Sequence, residues 1–94
     1  MTKYSYTRIT EDQFHKLAEG KRYCWTEKKT LIQDKAFEHP PIKLDLVLNV
    51  YSDVTQDKGN ETYHDVREVG RITYHSHPED GKEFRMWWQA TKDE

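Results

Sequence analysis

Two imidazoles one residue apart, in Tyr74-His75-Ser76-His77-Pro78, are the side chains of this 94-residue chain best suited to metal chemistry. On an extended strand, residues i and i+2 share a face, so both rings could reach one ion. Zinc and similar borderline metals accept imidazole nitrogen, and a catalytic centre adds a third protein ligand and a position open to water. His64, Asp65, Glu68 and Glu83 carry suitable donor atoms for that third place, and no spacing selects one of them. The competing reading is a pair of solvated histidines on a sheet face. Cys24 is the other intrinsically reactive group. A thiol nucleophile needs a neighbouring base, whereas a cysteine flanked by Tyr23 and Trp25 on a strand is expected to serve packing. Four scattered glycines form no phosphate-cradling loop.

The stretch from Val69-Gly70 to Tyr74-His75-Ser76-His77-Pro78 resembles the His-Ser-His-Pro segment of the JAMM metalloproteases, the zinc isopeptidases that include deubiquitinases. The resemblance covers this short segment only and implies His75 and His77 as zinc ligands. The family places a serine and an aspartate ligand downstream, where this chain has Arg85 and Trp88. Arg85 brings a positive charge and Trp88 has no lone pair to offer a metal. The family's upstream glutamate base has no marked counterpart. A metal-dependent hydrolase built on His75 and His77 is therefore the alternative reading, with no catalytic residue, cofactor or metal assigned.

The histidines are positioned by a terminal hairpin, Val66 to His77 and Phe84 to Ala90, whose register decides every facing. A two-residue Asp80-Gly81 turn would pair His75 with Met86 and His77 with Phe84, mixing polar and apolar on both faces. A three-residue Glu79-Asp80-Gly81 loop, with Gly81 left-handed, sorts them better. Ile72, Tyr74 and Ser76 then oppose Trp88, Met86 and Phe84 on a core side. The outer side carries Arg71, Thr73, His75 and His77 beside Glu83, Arg85, Trp87 and Gln89. On this expectation Arg71, His75, His77, Arg85 and Trp87 make a binding surface of cations and aromatics. Such a surface suits protein hot spots, or single-stranded nucleic acid through stacking and phosphate contact. The plainer reading is that Trp87 is covered by a helix or a second copy of the chain.

Elsewhere, Tyr4 to Ile9 alternates as a first strand. Thr10-Glu11-Asp12-Gln13 matches a capping box, Ile9 and Phe14 occupy staple positions, and Gly20 offers a stop, which predicts a helix over residues 11–19. Residues 21–26 suit a strand. Residues 27–41 read either as a short helix on Leu31, Ile32 and Ala36 or as a long polar connection that Pro40-Pro41 extends. In Ile42 to Ser52, Leu44, Leu46, Leu48 and Val50 alternate with Asp45, Val47, Asn49 and Tyr51, the clearest strand pattern of the chain. Residues 55–65 read as a long polar loop in which Asp57, Asn60, Glu61, His64 and Asp65 would suit an acidic contact site. Thr91 to Glu94 reads as a frayed tail.

These elements predict one α+β domain over residues 1–94: a mostly antiparallel sheet of about four to five strands with the N-terminal helix packed on one face. Twelve aromatics supply burial despite only 34% hydrophobic residues. The low apolar fraction leaves a sheet face that a homodimer would cover. A net charge of −2 with interspersed signs makes nucleic acid a weaker expectation than a protein partner. The single cysteine fits a reducing, cytoplasmic compartment, and the start lacks a signal-type apolar core, with no membrane-length apolar run. The leading expectation is a small non-enzymatic protein-binding module. In size and polarity it resembles the accessory and inhibitor proteins that phages and mobile elements encode, which act by contact with a host protein.

Overall fold

Thr10 ends the first strand and starts the helix in a single residue. Its hydroxyl accepts from the Gln13 backbone N–H at 3.2 Å, while its own N–H donates to the Gln13 side chain at 3.0 Å. This capping box satisfies two amides that the first helical turn leaves open. In the computed structural model, which describes residues 3–29 and 42–93, the elements run β1 (Lys3–Ile9), α1 (Glu11–His15), β2 (Tyr23–Lys28), β3 (Asp45–Val50), β4 (Asp53–Asp57), β5 (Asn60–His64), β6 (Arg67–Ser76) and β7 (Glu83–Asp93). After His15 the predicted helix tightens to a single 3₁₀ turn, Lys16–Ala18. Glu19 N–H bonds to the Lys16 carbonyl and Lys21 N–H to the Ala18 carbonyl, and Gly20 takes φ +72° to turn the chain out.

The main sheet has five strands in the order β1-β7-β6-β3-β2, every neighbouring pair antiparallel. The chain is thus mostly antiparallel sheet with one short helix. β7 runs on to Asp93, pairing with Lys3, where Ser5 Oγ donates to Asp93 at 2.7 Å; the expected frayed tail is strand as far as Asp93. The expected polar loop over 55–65 is also strand. β4 and β5 pair through Asp57/Asn60 around Lys58 (φ 51°) and Gly59 (φ 84°), the two consecutive positive φ values of a tight hairpin turn. Apart from half-buried Val54 this hairpin is exposed and mostly polar, so its sequence shows little alternation. The alternatives weighed for 27–41 fall, from residue 30 to Pro41, outside the described residues. No described helix is long and apolar enough to cross a membrane.

Helix and 3₁₀ turn lie on one face of the sheet. Phe14 forms the core with Leu48, Val50, Val69 and Ile72, and Ile9, Leu17, Leu46, Tyr74 and Trp87 pack around it. The two helical pieces sit over Gly70. A Cβ there would come 2.7 Å from Leu17 Cδ1, 2.8 Å from Phe14 Cε2 and 2.9 Å from the Trp88 carbonyl oxygen. The side chains have some freedom to move, but the Trp88 carbonyl is held in the sheet. Gly70→Ala is expected to destabilise the fold by roughly 1–3 kcal/mol through overpacking, read as a lower urea midpoint with an unchanged slope.

Candidate functional site

The β6–β7 connection is longer than either turn considered from sequence. His77 N–H donates to the Lys82 carbonyl at 2.9 Å and Gly81 N–H to the His77 carbonyl at 2.8 Å, enclosing Pro78 to Gly81. Lys82 N–H also bonds Asp80 Oδ1 at 2.9 Å, and Gly81 has φ +72°. The extra residue moves β7 by one relative to the expected pairing. His75 lies opposite Phe84, Thr73 opposite Met86 and Arg71 opposite Trp88, while Ile72 faces Trp87 and Tyr74 faces Arg85. The expected binding surface is therefore divided. Arg71, His75 and His77 share one face, and Arg85 and Trp87 lie on the helix side, where Trp87 packs against the core.

Along β6 the histidine face is not an outer one, although His77, past the end of the strand, is exposed. Arg71 is 1% exposed, and His75 and Thr73 are fully buried. β6 is an interior strand whose residues from Glu68 to Thr73 are buried whichever way they point. Arg71 Nη1 donates to Asp45 at 3.1 Å and Nη2 to Glu68 at 2.5 Å, with the Tyr6 ring 4.9 Å from the guanidinium carbon. Burial alone would lower the Arg71 pKa, but Glu68, Tyr6 and Asp45 more than offset it and hold the guanidinium charged. Arg71 Nε and Glu68 Oε2 are buried without a hydrogen-bond partner. Burial, followed by the adjacent Glu68 carboxylate, pushes the Tyr6 phenol well above its ordinary value.

The two histidines make different contacts. His75 Nε2 lies 2.7 Å from Thr73 Oγ1, which also accepts from the Trp88 indole N–H at 2.9 Å. A hydroxyl that accepts from the indole N–H can donate its own hydrogen to an imidazole nitrogen, so one threonine serves both rings. Phe84 stacks on both histidines, at 5.3 Å from His75 and 4.2 Å from His77. The sites considered for a third ligand point elsewhere: Glu68 is bound to Arg71, Glu83 pairs with Lys43 at 2.9 Å, His64 bonds Thr55 at 2.7 Å and Asp65 accepts from Ser52. Among the described residues no group of three His, Cys, Asp or Glu could hold a metal. The Cys24 thiol is pushed up by burial, opposed by its bond with Asn49, which disfavours the thiolate a nucleophile needs. In β5, Glu61 accepts from Tyr63 and Gln56 within its own hairpin.

The accessible concavity that sequence reasoning missed lies on the helix side at the other end of the sheet. A groove of about 580 Å³ runs between the helical segment and β2, lined by Phe14, His15, Ala18, Tyr23, Trp25 and Leu48. Tyr23 is 51% and Trp25 43% exposed, with their rings edge to face at 6.3 Å and Trp25 6.1 Å from Phe14. Tyr23-Cys24-Trp25 was legible as a strand, but its place at the sheet edge follows from topology alone. No protein-family model matches this chain, and neither curated proteins nor solved structures give a match.

Two measurements test the buried cluster. Arg71→Ala removes the cation that Asp45 and Glu68 share and is expected to lower unfolding free energy by roughly 3–5 kcal/mol in urea titrations, whereas Asp45→Leu/Glu68→Met/Arg71→Met, which removes the three charges together, recovers most of that loss. Tyr6 binds its proton more tightly folded than unfolded. Its contribution is therefore full below the ordinary phenol value of 10.0 and is lost as pH rises from there toward the higher folded value. Wild-type stability should fall with pH above that point, and Tyr6→Phe should flatten the fall.

Proposed function

We propose that this chain is a non-enzymatic protein-binding domain that receives an extended segment of its partner along β2. One observation carries the reading: β2 has a hydrogen-bonded neighbour on one side only among the described residues, and it displays two large aromatics beside a groove. An edge strand presents a row of backbone donors and acceptors that another strand can satisfy. Added strands gain affinity from those backbone bonds and specificity from side chains that enter adjacent pockets. Here the pocket floor is Phe14 and Leu48, and Asp12, Lys16 and Glu19 give it a charged rim. Exposed Trp and Tyr at the centre with a polar rim is the usual anatomy of an interaction hot spot. Such a domain works by occupancy, as an accessory or inhibitor protein in contact with a host protein would.

The experiment compares the wild type with Tyr23→Ala/Trp25→Ala, first for the protein captured from a native host extract and then for affinity toward that purified partner. The double variant should lose at least tenfold in affinity, since hot-spot aromatics carry roughly 2 kcal/mol or more each. Amide hydrogen exchange should slow across Tyr23–Lys28 when the partner binds. Undiminished affinity in the double variant, or protection gathered on β1 in place of β2, would sink the reading.

A further inference from the structure

The chain is acidic overall, yet one end of the molecule is basic. Lys16 follows the helix, Lys21 and Arg22 follow Gly20, Arg67 begins β6 and Lys92 lies near the end of β7; all five are exposed. These residues come from three distant parts of the sequence, and only the fold brings them together. They line two adjoining hollows that share Lys21 and Arg67. One, of about 440 Å³, adds Arg22, Tyr51 and Ser52; the other, of about 330 Å³, adds Lys16, Gln89, Thr91 and Lys92. Among the described residues Asp65 is the only carboxylate lining either hollow, and Ser52 Oγ already donates to it at 2.9 Å. Asp53 reaches Arg22 only at 3.9 Å, with both side chains more than 60% exposed, so water screens that pair and the cation stays available.

We infer that this basic end binds the phosphate backbone of a single-stranded nucleic acid, with Tyr51 as the stacking ring beside it. The frame is fixed. Tyr51 N–H donates to the Arg22 carbonyl at 3.2 Å, Lys21 N–H is bonded to Ala18, and Arg67 is paired with Val50 in the sheet. Cations held on such a frame lose little freedom on binding, and phosphates that replace their counterions gain from counterion release. Ser52, Gln89 and Thr91 add neutral hydrogen-bonding groups of the kind that accompany phosphate contacts. The aromatic element separates a nucleic acid from an acidic peptide. Tyr51 lines the hollow and is half-buried, its ring braced by Tyr63, which meets it at a steep angle 4.7 Å away from outside the two hollows. A base has a flat face to lay on such rings, whereas an aspartate or glutamate side chain does not. This surface meets the aromatic groove at Lys16, which lines both; the variants below leave Lys16, Tyr23 and Trp25 unchanged, so its occupancy is read separately from the β2 reading.

Fluorescence anisotropy with a labelled oligothymidylate of about 16 nucleotides tests it, titrated from about 50 to 200 mM NaCl. Binding should weaken steeply, with a log–log slope of about −3 for four or five phosphates neutralised. Lys21→Glu/Arg22→Glu/Arg67→Glu should abolish it, while Lys3→Glu/Lys82→Glu/Arg85→Glu, with the same net charge and equally exposed positions, should keep most of it. Tyr51→Leu should weaken oligonucleotide binding roughly fivefold or more and leave binding of polyglutamate unchanged. Circular dichroism melts of each variant report that the fold is retained. The inference is overturned by no binding at the lowest salt, by equal loss in the two charge-reversed variants, or by polyglutamate binding as tightly as the oligonucleotide.

Discussion

A guanidinium in the middle of a β-sheet has to be neutralised by groups that the sheet places on the same face, and Arg71 imposes that demand here. Asp45 meets it by ordinary geometry: Val47 lies opposite Arg71 on β3, and Asp45 is two residues along the same side. Glu68 does not, because residues three apart on a regular strand point in opposite directions. The register between β3 and β6 shifts at Leu48/Asn49, so that Asn49 opposes Glu68 and Val69 is the extra residue of a bulge. That single irregularity turns Glu68 toward Arg71 and releases Val69 into the core with Phe14 and Leu48. A regular strand would have set a carboxylate on the apolar side and a valine on the charged one. The bulge serves electrostatics and packing at once.

The second constraint is the length of one loop. Pro78 to Gly81 closes the β6–β7 hairpin with one residue more than the best turn expected from sequence, and the period of two converts that residue into a change of face along all of β7. Phe84, Met86 and Trp88 join the histidine side, and Trp87 joins the helix side. The sequence criterion behind the shorter loop was that one face of the hairpin should be apolar and the other solvated. β6 violates that premise. As an interior strand it is buried on both sides, and its polar side chains bond mostly to other buried groups: Thr73 to His75 and Trp88, Arg71 to Asp45 and Glu68, with Arg71 Nε and Glu68 Oε2 left over. Buried polar groups that satisfy each other do not read as core in a hydropathy pattern.

What could be read from the chain was local and what could not was relational. The capping box at Thr10 and Gln13 depends on residues three apart and appears as expected. The alternation of Leu46, Leu48 and Val50 marks β3 because the helix covers one of its faces. The β4–β5 hairpin escaped notice because it buries almost nothing, so its ladder leaves no periodic trace, and the Lys58-Gly59 turn was its one local signal. The groove and the basic end were invisible for a different reason. Each gathers residues from separate segments, and neither has a spacing along the chain. The metal-like spacing of His75 and His77 was legible, yet its meaning depended on Thr73, Trp88 and Phe84, which the register supplies.

Placing ionic and aromatic groups in the interior determines which groups remain at the surface. The helical segment is short: its five α-helical residues and one 3₁₀ turn cover Gly70 and the middle of the sheet but leave β2 largely exposed. The groove beside Phe14 lies between that segment and β2, with Tyr23 and Trp25 on its wall. The Gly20 turn that follows brings Lys21 and Arg22 beside Tyr51 and sends the chain into β2. The same early termination therefore leaves an aromatic edge on one strand and assembles cations beside Arg67. Both surfaces follow from the helix stopping at Ala18, and neither requires the buried face around Arg71 to open.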